Sequence, residues 1–433
     1  MKRTTRKNSS TAQIVPYPEE DPLIEGERIS FDEDVTKPNV SDEEINSRYA
    51  KGEARFVTEQ ARYPLAGIQA MLNEEIDGEN GRKERRYQLD PEYQRRHRWD
   101  DVRKSRLIES FLMNVPVPPI FLYERDLARF EVMDGRQRLT SLSDFYANNF
   151  KLTGLQYWPE LDGRTYAQLP SRIRDGIDRR YISSIILLKE TATDATQAEV
   201  LKKVVFERLN LGGVKFGSQE IRNAVYGGPL NALCLSASAN ENFQRMWGIP
   251  IDKSQIERDG NDESDDSSDE STNTGTRMYE KMEDVELVLR FFAYRQMSAK
   301  YNTNRMSEFL DRFISQGNKF DQAVLDEYKT MFEDTVAFLW DVLGTEAFTV
   351  LGSSKRPIKI VYDALMYVAN SCKMRRHRVK LTAKKDVLRS QLEEMYTQNR
   401  DLFAGRRTNH KDAKDRNYCV AEAFAKAIKI SAK

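Results

Sequence analysis

The stretch that decides the fold of this 433-residue chain reads Phe130-Glu131-Val132-Met133-Asp134-Gly135-Arg136-Gln137-Arg138-Leu139-Thr140-Ser141-Leu142. Its first four residues predict a strand, and the apolar spacing from Leu139 to Phe145 predicts a helix. Gly135 lies between the two, where the backbone must turn sharply or come close to a ligand. A strand, a glycine and polar residues that open a helix form an arrangement in which backbone N–H groups point toward an anion.

The side chains of this turn suit a phosphate group. Arg136 and Arg138 carry fork-shaped donors that match phosphate oxygens, and Gln137 adds a neutral donor and acceptor. We therefore predict that Gly135 and these three residues bind phosphate. Asp134 is a predicted catalytic residue, because it can hold an arginine, accept from a ribose hydroxyl or ligate Mg²⁺. The alternative is that Asp134 caps the helix and that the arginines form surface ion pairs.

A second polar segment, Leu89 to Asp100, lies between a predicted strand and a predicted helix. Gln94 and Arg95 supply donors that can reach a phosphate, so both are predicted phosphate-binding residues. Trp99 either stacks on a base or anchors the loop by burying its ring.

A third polar segment, residues 205–224, joins two predicted helices through a Gly-Gly loop. Two polar helices joined in this way can direct several side chains into one pocket. The predicted phosphate-binding residues of this segment are Arg208, Asn210, Gly212, Gly213, Gln219 and Arg222, and Glu220 is the second predicted catalytic residue. The alternative is an ordinary helix–loop–helix in which Glu220 and Arg222 are exposed.

Apolar spacing along the rest of the chain predicts an α+β fold. The predicted strands are residues 87–89, 120–123, 130–133 and 182–188. After about residue 277 only helices are predicted, because apolar residues there recur every three or four positions. Residues 77–86 are predicted to be a charged loop.

Composition divides the chain further. Residues 1–52 are rich in Pro, Ser, Thr and acids with few apolar positions, which predicts a disordered arm. Residues 252–270 hold nine acids against two bases, which predicts an acidic flexible linker over 251–276. The predicted folded parts are a first domain at 53–250 and a helical region with a basic C-terminal part at 277–433.

Bulk properties indicate a cytoplasmic protein. The three cysteines are far apart in the sequence and form no CxxC pair, which is typical of reduced thiols. The basic N-terminus is not followed by an apolar segment, so no secretory signal is predicted. No apolar run reaches the roughly 20 residues that a membrane span needs, so no membrane partner is expected.

Four segments, in order, resemble the N-terminal domain of GmrSD-type modification-dependent restriction enzymes, which belongs to the ParB/sulfiredoxin-like superfamily. They are Pro91–Trp99, Leu107–Leu122, Asp134–Leu139 and Phe206–Asn223. The resemblance implies a small ParB/sulfiredoxin-like mixed sheet core with helices, followed by a mainly α-helical C-terminal region. It also implies NTP binding and hydrolysis, with the turn at Asp134 to Arg138 holding the phosphates, and a role in bacterial defence against phage or foreign modified DNA.

The chain departs from that family in its C-terminal part. GmrSD-type enzymes carry an HNH-like nuclease domain there, which needs histidines to activate water and hold a metal. This chain has only His97, His377 and His410, and no two of them have metal-ligand spacing. We therefore expect no HNH nuclease and no protein metal site, and a nuclease would be a separate partner subunit. A Walker-type P-loop is absent as well, so NTP chemistry would use another scaffold.

The C-terminal part has a local excess of positive charge. Residues 371–433 contain 17 Lys/Arg and 7 Asp/Glu, and such an excess attracts phosphate backbones without reading sequence. The predicted DNA-binding residues are Arg375, Arg376, Arg378 and Lys380. The acidic segment 252–270 can compete with DNA for this surface, which makes autoinhibition a further hypothesis.

The leading hypothesis is a nucleotide-binding protein of a bacterial DNA-defence or DNA-transaction system. Its cofactor is an NTP, with or without Mg²⁺, and hydrolysis is left open. Its partners are the nucleotide, DNA and a nuclease subunit. The alternatives are a non-catalytic DNA-binding or adaptor module and a ParB-like nuclease that cuts without HNH residues.

Overall fold

The computed structural model describes eleven parts of the chain, and all structural statements below refer to them. They are residues 22–30, 41–51, 57–78, 82–89, 99–191, 195–209, 217–252, 270–296, 306–353, 356–404 and 410–429.

A five-stranded mixed sheet forms the centre of the first half of the chain. The strands are β1 Thr58–Pro64, β2 Glu75–Asp77, β3 Lys83–Arg85, β4 Tyr87–Gln88, β5 Ile120–Asp126, β6 Arg129–Asp134 and β7 Tyr181–Leu187. The sheet order is β1–β7–β5–β6–β4, while β2 and β3 pair separately. β4 runs parallel to β6 and β5 parallel to β7, and the other neighbours are antiparallel. The C-terminal ends of β4 and β6 therefore lie at the same end of the sheet.

The helices of the first half are α1 Asp42–Lys51, α2 Ile68–Asn73, α3 Asp101–Leu112, α4 Arg136–Tyr146, α5 Ser171–Asp178, α6 Ala195–Leu209, α7 Ser218–Val225, α8 Pro229–Ser238 and α9 Glu241–Trp247. Those of the second half are α10 Glu270–Glu280, α11 Glu283–Tyr294, α12 Met306–Gly317, α13 Gln322–Leu343, α14 Lys359–Asn370, α15 Cys372–Arg375, α16 Arg378–Ala383, α17 Lys385–Gln398 and α18 His410–Lys429. The predictions of an α+β fold with a mixed sheet and of a mainly helical C-terminal region are confirmed.

The two faces of the sheet pack against two different hydrophobic cores. Because side chains alternate along a strand, Ile120 and Leu122 of β5 face a core that they share with α2 to α5. Tyr123 of β5 and Met133 of β6 face a second core, which contains the helices from α7 onward. The sheet is thus covered on both sides, which explains why its central strands are largely apolar.

The second core begins before the predicted domain limit at residue 250. Val225, Leu230 and Phe243 are buried in it together with helices from the C-terminal half. The 22-residue helix α13 packs against α8, α9, α14 and α17. By packing, α8 and α9 therefore belong with the C-terminal helices.

Residues 22–30 differ from the predicted disordered arm. Glu27 is fully buried, and its carboxylate accepts from Arg295 Nε at 2.8 Å and from the Tyr328 hydroxyl at 2.9 Å. The backbone carbonyl of Glu27 accepts from Gln296 Nε2. A polar segment is ordered here because a buried charge finds its partners far along the chain. Asp42–Lys51, also inside the predicted arm, is helical.

Three further differences concern the edges of the sheet and the acidic linker. β1 lies inside the predicted first domain but was not among the predicted strands, and β2 and β3 lie inside the predicted charged loop. The predicted linker is helical from Glu270 onward, while residues 253–269 are outside the described part. No described helix has the length and apolar character required to span a bilayer.

Candidate functional site

Gly135 forms a sharp turn between β6 and α4. Its φ is +93°, in the left-handed region that side chains disfavour. A Cβ atom at this position would lie 2.4 Å from Cγ2 of Ile120. Ile120 begins β5, the antiparallel neighbour of β6. Glycine is therefore required for two reasons, backbone conformation and space.

The N-terminus of α4 begins at this turn. Gly135 is the N-cap, and since it has no side chain, the helix has no side-chain cap among the described residues. The backbone N–H groups of a first helical turn and the positive end of the helix dipole attract an anion. Arg136 and Gln137 are the first two residues of the helix, and both side chains are partly exposed. The turn has the shape that the sequence predicted.

Arg138 points into the protein. It is 9% exposed, and its guanidinium donates to the carbonyl oxygens of Pro118 and Pro119 and, at 2.7 Å, to Asp134 Oδ2. These bonds fasten α4 and the end of β6 to the segment that leads into β5. The alternative of a surface ion pair is thus only half right: the Asp134–Arg138 pair is present, but Arg138 is buried. Its predicted role as a phosphate ligand would require these bonds to break.

Both ends of the second polar segment lie beside the turn. β4, which precedes this segment, pairs in parallel with β6 through Gln88 and Glu131. At the other end, the backbone N–H of Trp99 donates to Gln137 Oε1 at 3.3 Å. Gln94 and Arg95 lie outside the described residues.

The third polar segment is divided by the structure. Asn210, Gly212 and Gly213 lie outside the described residues, and Arg208 is exposed on α6. In α7, Glu220 Oε2 accepts from the backbone N–H of Gly217 at 2.5 Å, so this carboxylate caps its own helix.

Arg222 is an internal residue, contrary to the alternative in which it was exposed. Its side chain is 2% exposed, and it donates to Asp311 Oδ1 at 2.7 Å, Glu286 Oε2 at 2.8 Å and Ser307 Oγ at 2.9 Å. Gln219, also buried, accepts from Arg222 at 3.1 Å. Arg222 therefore joins α7 to α11 and α12, and a phosphate-binding role would require this network to open.

Part of the chain that contains these segments matches a known protein family. Residues 71–227 match the model of the GmrSD restriction endonuclease N-terminal domain. Because of this match, residues 71–227 are called the GmrSD N-terminal domain. No curated protein and no solved structure gives a significant match to the chain. The predicted resemblance is confirmed, and the match indicates a protein of a restriction or DNA-defence system.

Helix α6 connects the sheet of the GmrSD N-terminal domain to the C-terminal helices. Lys202 Nζ lies 2.5 Å from Glu131 Oε2 and 4.4 Å from the centre of the Tyr123 ring. The next residue, Lys203, lies 2.5 Å from Asp311 Oδ2. Burial, and then the Glu131 charge, raise the pKa of Tyr123 above its ordinary value. This connection was not predicted, since its only signal in the sequence is a pair of adjacent lysines on one helix.

The predicted DNA-binding residues that follow the GmrSD N-terminal domain differ in exposure. Arg376 and Lys380 are exposed. Arg378 is mostly buried: it donates to Thr335 Oγ1 at 2.8 Å, and burial lowers its pKa. Arg375 Nη2 lies 3.1 Å from Cys372 Sγ. Only part of this basic run is therefore directed outward.

A protein metal site would require several ligand side chains close together. In the parts of the chain that the structure describes, no group of three or more His, Cys, Asp or Glu side chains is arranged to hold a metal ion. Asp134 is the carboxylate at the turn, and its side chain is 33% exposed.

Proposed function

We propose that the turn at residues 134–137 of the GmrSD N-terminal domain binds the phosphates of a nucleoside triphosphate, as part of a DNA-defence system. The observation that supports this most directly is the turn at Gly135. Its glycine is required by both φ and the Ile120 contact, and it leaves the first turn of α4 without a side-chain cap in the described structure. Such a turn is suited to an anion that approaches the backbone closely.

The surrounding charges support a phosphate group in particular. Arg136 supplies a partly exposed guanidinium at the first position of α4. The segment that contains Gln94 and Arg95 is anchored at both ends beside the turn. Arg138 and Asp134, in this proposal, hold the turn in shape, because their side chains bond each other and the Pro118–Pro119 backbone.

We further propose that the bound nucleotide carries a Mg²⁺ ion and is hydrolysed. A Mg²⁺ ion bound to an NTP takes one or two protein carboxylates beside the phosphate oxygens. Asp134 is the better candidate because it lies in the turn itself and is partly exposed, although one of its oxygens accepts from Arg138. Asp134 would orient the ion or the attacking water, and hydrolysis would then depend mainly on positioning and charge.

The test is nucleotide-dependent stabilisation against heat. ATP, GTP, CTP and UTP are added separately, with and without Mg²⁺, and the unfolding temperature is measured. A ligand at 100 times its Kd stabilises the folded state by about 2.7 kcal/mol. No shift with any nucleotide, in either condition, overturns the proposal.

Three variants separate binding from folding. Arg136→Ala is expected to remove most of the nucleotide shift, measured against the unfolding temperature of the same variant without nucleotide. Arg138→Ala is expected to lower the unfolding temperature even without nucleotide, because it leaves two carbonyls and Asp134 without a buried donor. Arg172→Ala changes an exposed arginine in the first turn of α5 and should alter neither. A full shift in Arg136→Ala would remove Arg136 from the site.

DNA binding without catalysis is the second candidate function. Arg376 and Lys380 are exposed, and Val379 between them is 88% exposed, so this surface can approach a DNA backbone. Incubation with plasmid and Mg²⁺ separates the candidates. Retarded, intact plasmid, with weaker retardation for Arg376→Ala/Lys380→Ala, supports an adaptor. Nicked or linear plasmid supports a nuclease that lacks HNH residues.

A further inference from the structure

The loop before residue 159 is fixed to α3 by a buried carboxylate. Glu109 is 5% exposed, and its carboxylate accepts three successive backbone N–H groups. Tyr157 and Trp158 donate to Oε1 at 2.7 and 3.1 Å, and Gln156 donates to Oε2 at 3.2 Å. A carboxylate with three N–H donors is a strong anchor, because charge-assisted bonds exceed neutral ones in strength.

The preceding three residues are fixed in the same way. Thr153 N–H donates to Ser105 Oγ at 2.9 Å, while the N–H groups of Gly154 and Leu155 each donate to Asp162 at 3.2 Å. Six consecutive N–H groups, from 153 to 158, therefore end on side-chain oxygens. The backbone of this loop is held in one shape although it is neither helix nor strand.

This rigid loop carries two aromatic rings that stay outside. Tyr157 is 68% and Trp158 38% exposed. Met113, just beyond the end of α3, is 38% exposed. Aromatic rings usually bury most of their area, as Trp158 does, whereas Tyr157 leaves most of its area in solvent. A firmly fixed loop that presents one largely exposed and one partly exposed ring has the character of a binding surface.

An exposed arginine on α3, the helix that holds this loop, bears on the kind of partner. Arg106 lies one turn before Glu109 on α3 and is exposed, and its guanidinium has no ion-pair or hydrogen-bond partner within the described part of the chain. Arg103, one further turn back, is also exposed. Aromatic residues and arginine are also enriched at protein interfaces, but the match to a restriction endonuclease domain favours nucleic acid as the partner. Single-stranded nucleic acid is bound by aromatic rings next to cations that follow the backbone.

We propose that Tyr157 and Trp158 form a platform on which unpaired bases of single-stranded DNA stack, with Arg106 against the neighbouring phosphate. This inference rests on the DNA-defence part of the proposed function and not on nucleotide binding at the Gly135 turn. Stacking tolerates any base, because every base presents a π face. The platform would therefore favour exposed single strands over intact duplex without reading sequence.

The experiment uses the full chain and a fluorescein-labelled oligothymidylate, followed by anisotropy, with a duplex of the same length for comparison. Tyr157→Ala and Trp158→Ala are each expected to weaken binding of the single strand about tenfold, within the range for loss of one stacked base. Leu127→Ala removes another exposed apolar side chain, 84% exposed in the β5–β6 turn, and should bind like the unchanged protein. Unfolding temperatures confirm that each variant is folded.

The outcomes separate the platform from the DNA-defence function. Single-strand binding that both ring variants retain overturns the platform and leaves the function standing. Binding to duplex DNA without binding to the single strand also overturns the platform and leaves the DNA-defence function standing. An equal loss in Leu127→Ala also overturns the platform, since the effect would then follow apolar area anywhere on the surface. A protein that binds neither single strand nor duplex overturns the platform and the DNA function together.

A second variant tests the anchor. Glu109→Gln keeps the shape of the side chain but weakens the bonds to residues 156–158. It is expected to reduce single-strand binding severalfold although both rings remain, and the quenching of tryptophan fluorescence by the oligonucleotide should decrease with it. Unchanged binding and quenching would show that the loop needs no anchor, which contradicts the rigid platform.

Discussion

At the scale of single residues, Gly135 combines two independent requirements that can be separated by mutation. Its φ of +93° disfavours any side chain, and Ile120 occupies the space that a Cβ would need. Gly163 has a similar φ of +80°, but no atom lies within 4 Å of its Cβ position. The pair therefore provides a matched control.

We expect Gly135→Ala to lower the free energy of unfolding by about 2–4 kcal/mol, the sum of backbone strain and overpacking. Gly163→Ala should cost only about 1–2 kcal/mol, from backbone strain alone. Urea unfolding of both variants measures the difference. Equal costs would mean that β5 moves aside for a methyl group, and that Ile120 does not shape the turn.

The role of Arg222 cannot be deduced from its residue type alone. An arginine in a polar segment fits a phosphate ligand and an internal ion pair equally well, and only the positions of Asp311 and Glu286 decide between the two. Both partners lie more than 60 positions away in sequence. Their contact with Arg222 could therefore not be predicted from the sequence, and neither could the bond between Arg138 and the Pro118 carbonyl.

We expect Arg222→Met to cost about 3–5 kcal/mol in the free energy of unfolding, because Glu286 loses its ion pair and the buried Asp311 keeps only Lys203. Arg245→Ala removes an exposed pair with Glu241, both side chains being more than half exposed, and should cost less than about 0.5 kcal/mol. Chemical denaturation of the two variants gives the comparison. A small loss in Arg222→Met would show that the network relaxes or admits water.

At the scale of elements, apolar periodicity predicted the central strands and most helices. β5, β6 and β7 appear where apolar runs predicted them, and α6 and α7 are the two helices predicted on either side of the Gly-Gly segment. β1 was missed because its sequence, TEQARYP, has no apolar alternation. It forms a strand only because the edge of β7 is available to pair with it.

In the candidate site too, features made by neighbouring residues were predictable and contacts between distant residues were not. The Gly135 turn was predictable because strand, glycine and helix are adjacent in sequence. Its support by Pro118, Pro119 and Trp99 was not, since those contacts join residues 19 to 38 positions apart. The Glu109 anchor lies within a segment that carried the family resemblance, yet only the fold brings it to residues 156–158.

At the scale of the whole molecule, the residues that match the family model and the residues that pack together have different boundaries in the sequence. The match spans residues 71–227, but β1 at 58–64 completes one edge of the sheet. On the other side, α6 and α7 bond Asp311 and Glu286 of the C-terminal helices. The GmrSD N-terminal domain is therefore packed into a larger structure.

We expect a fragment of residues 71–227 to lack cooperative unfolding, because it exposes the second face of the sheet and leaves Arg222 without its carboxylates. A fragment of residues 22–429, which keeps all described parts, should unfold like the full chain. Circular dichroism during heating tests both. A sharp transition in the short fragment would show that the first core alone is sufficient.

The burial of Glu27 also affects how the chain is made. Glu27 leaves the ribosome early, while Arg295 is added 268 residues later. At about 5–20 residues per second, that interval lasts roughly 10–50 s. Throughout it Glu27 has only its local bond from the Ile24 N–H and lacks its cation Arg295, so this segment can dock only after most of the chain has been synthesised.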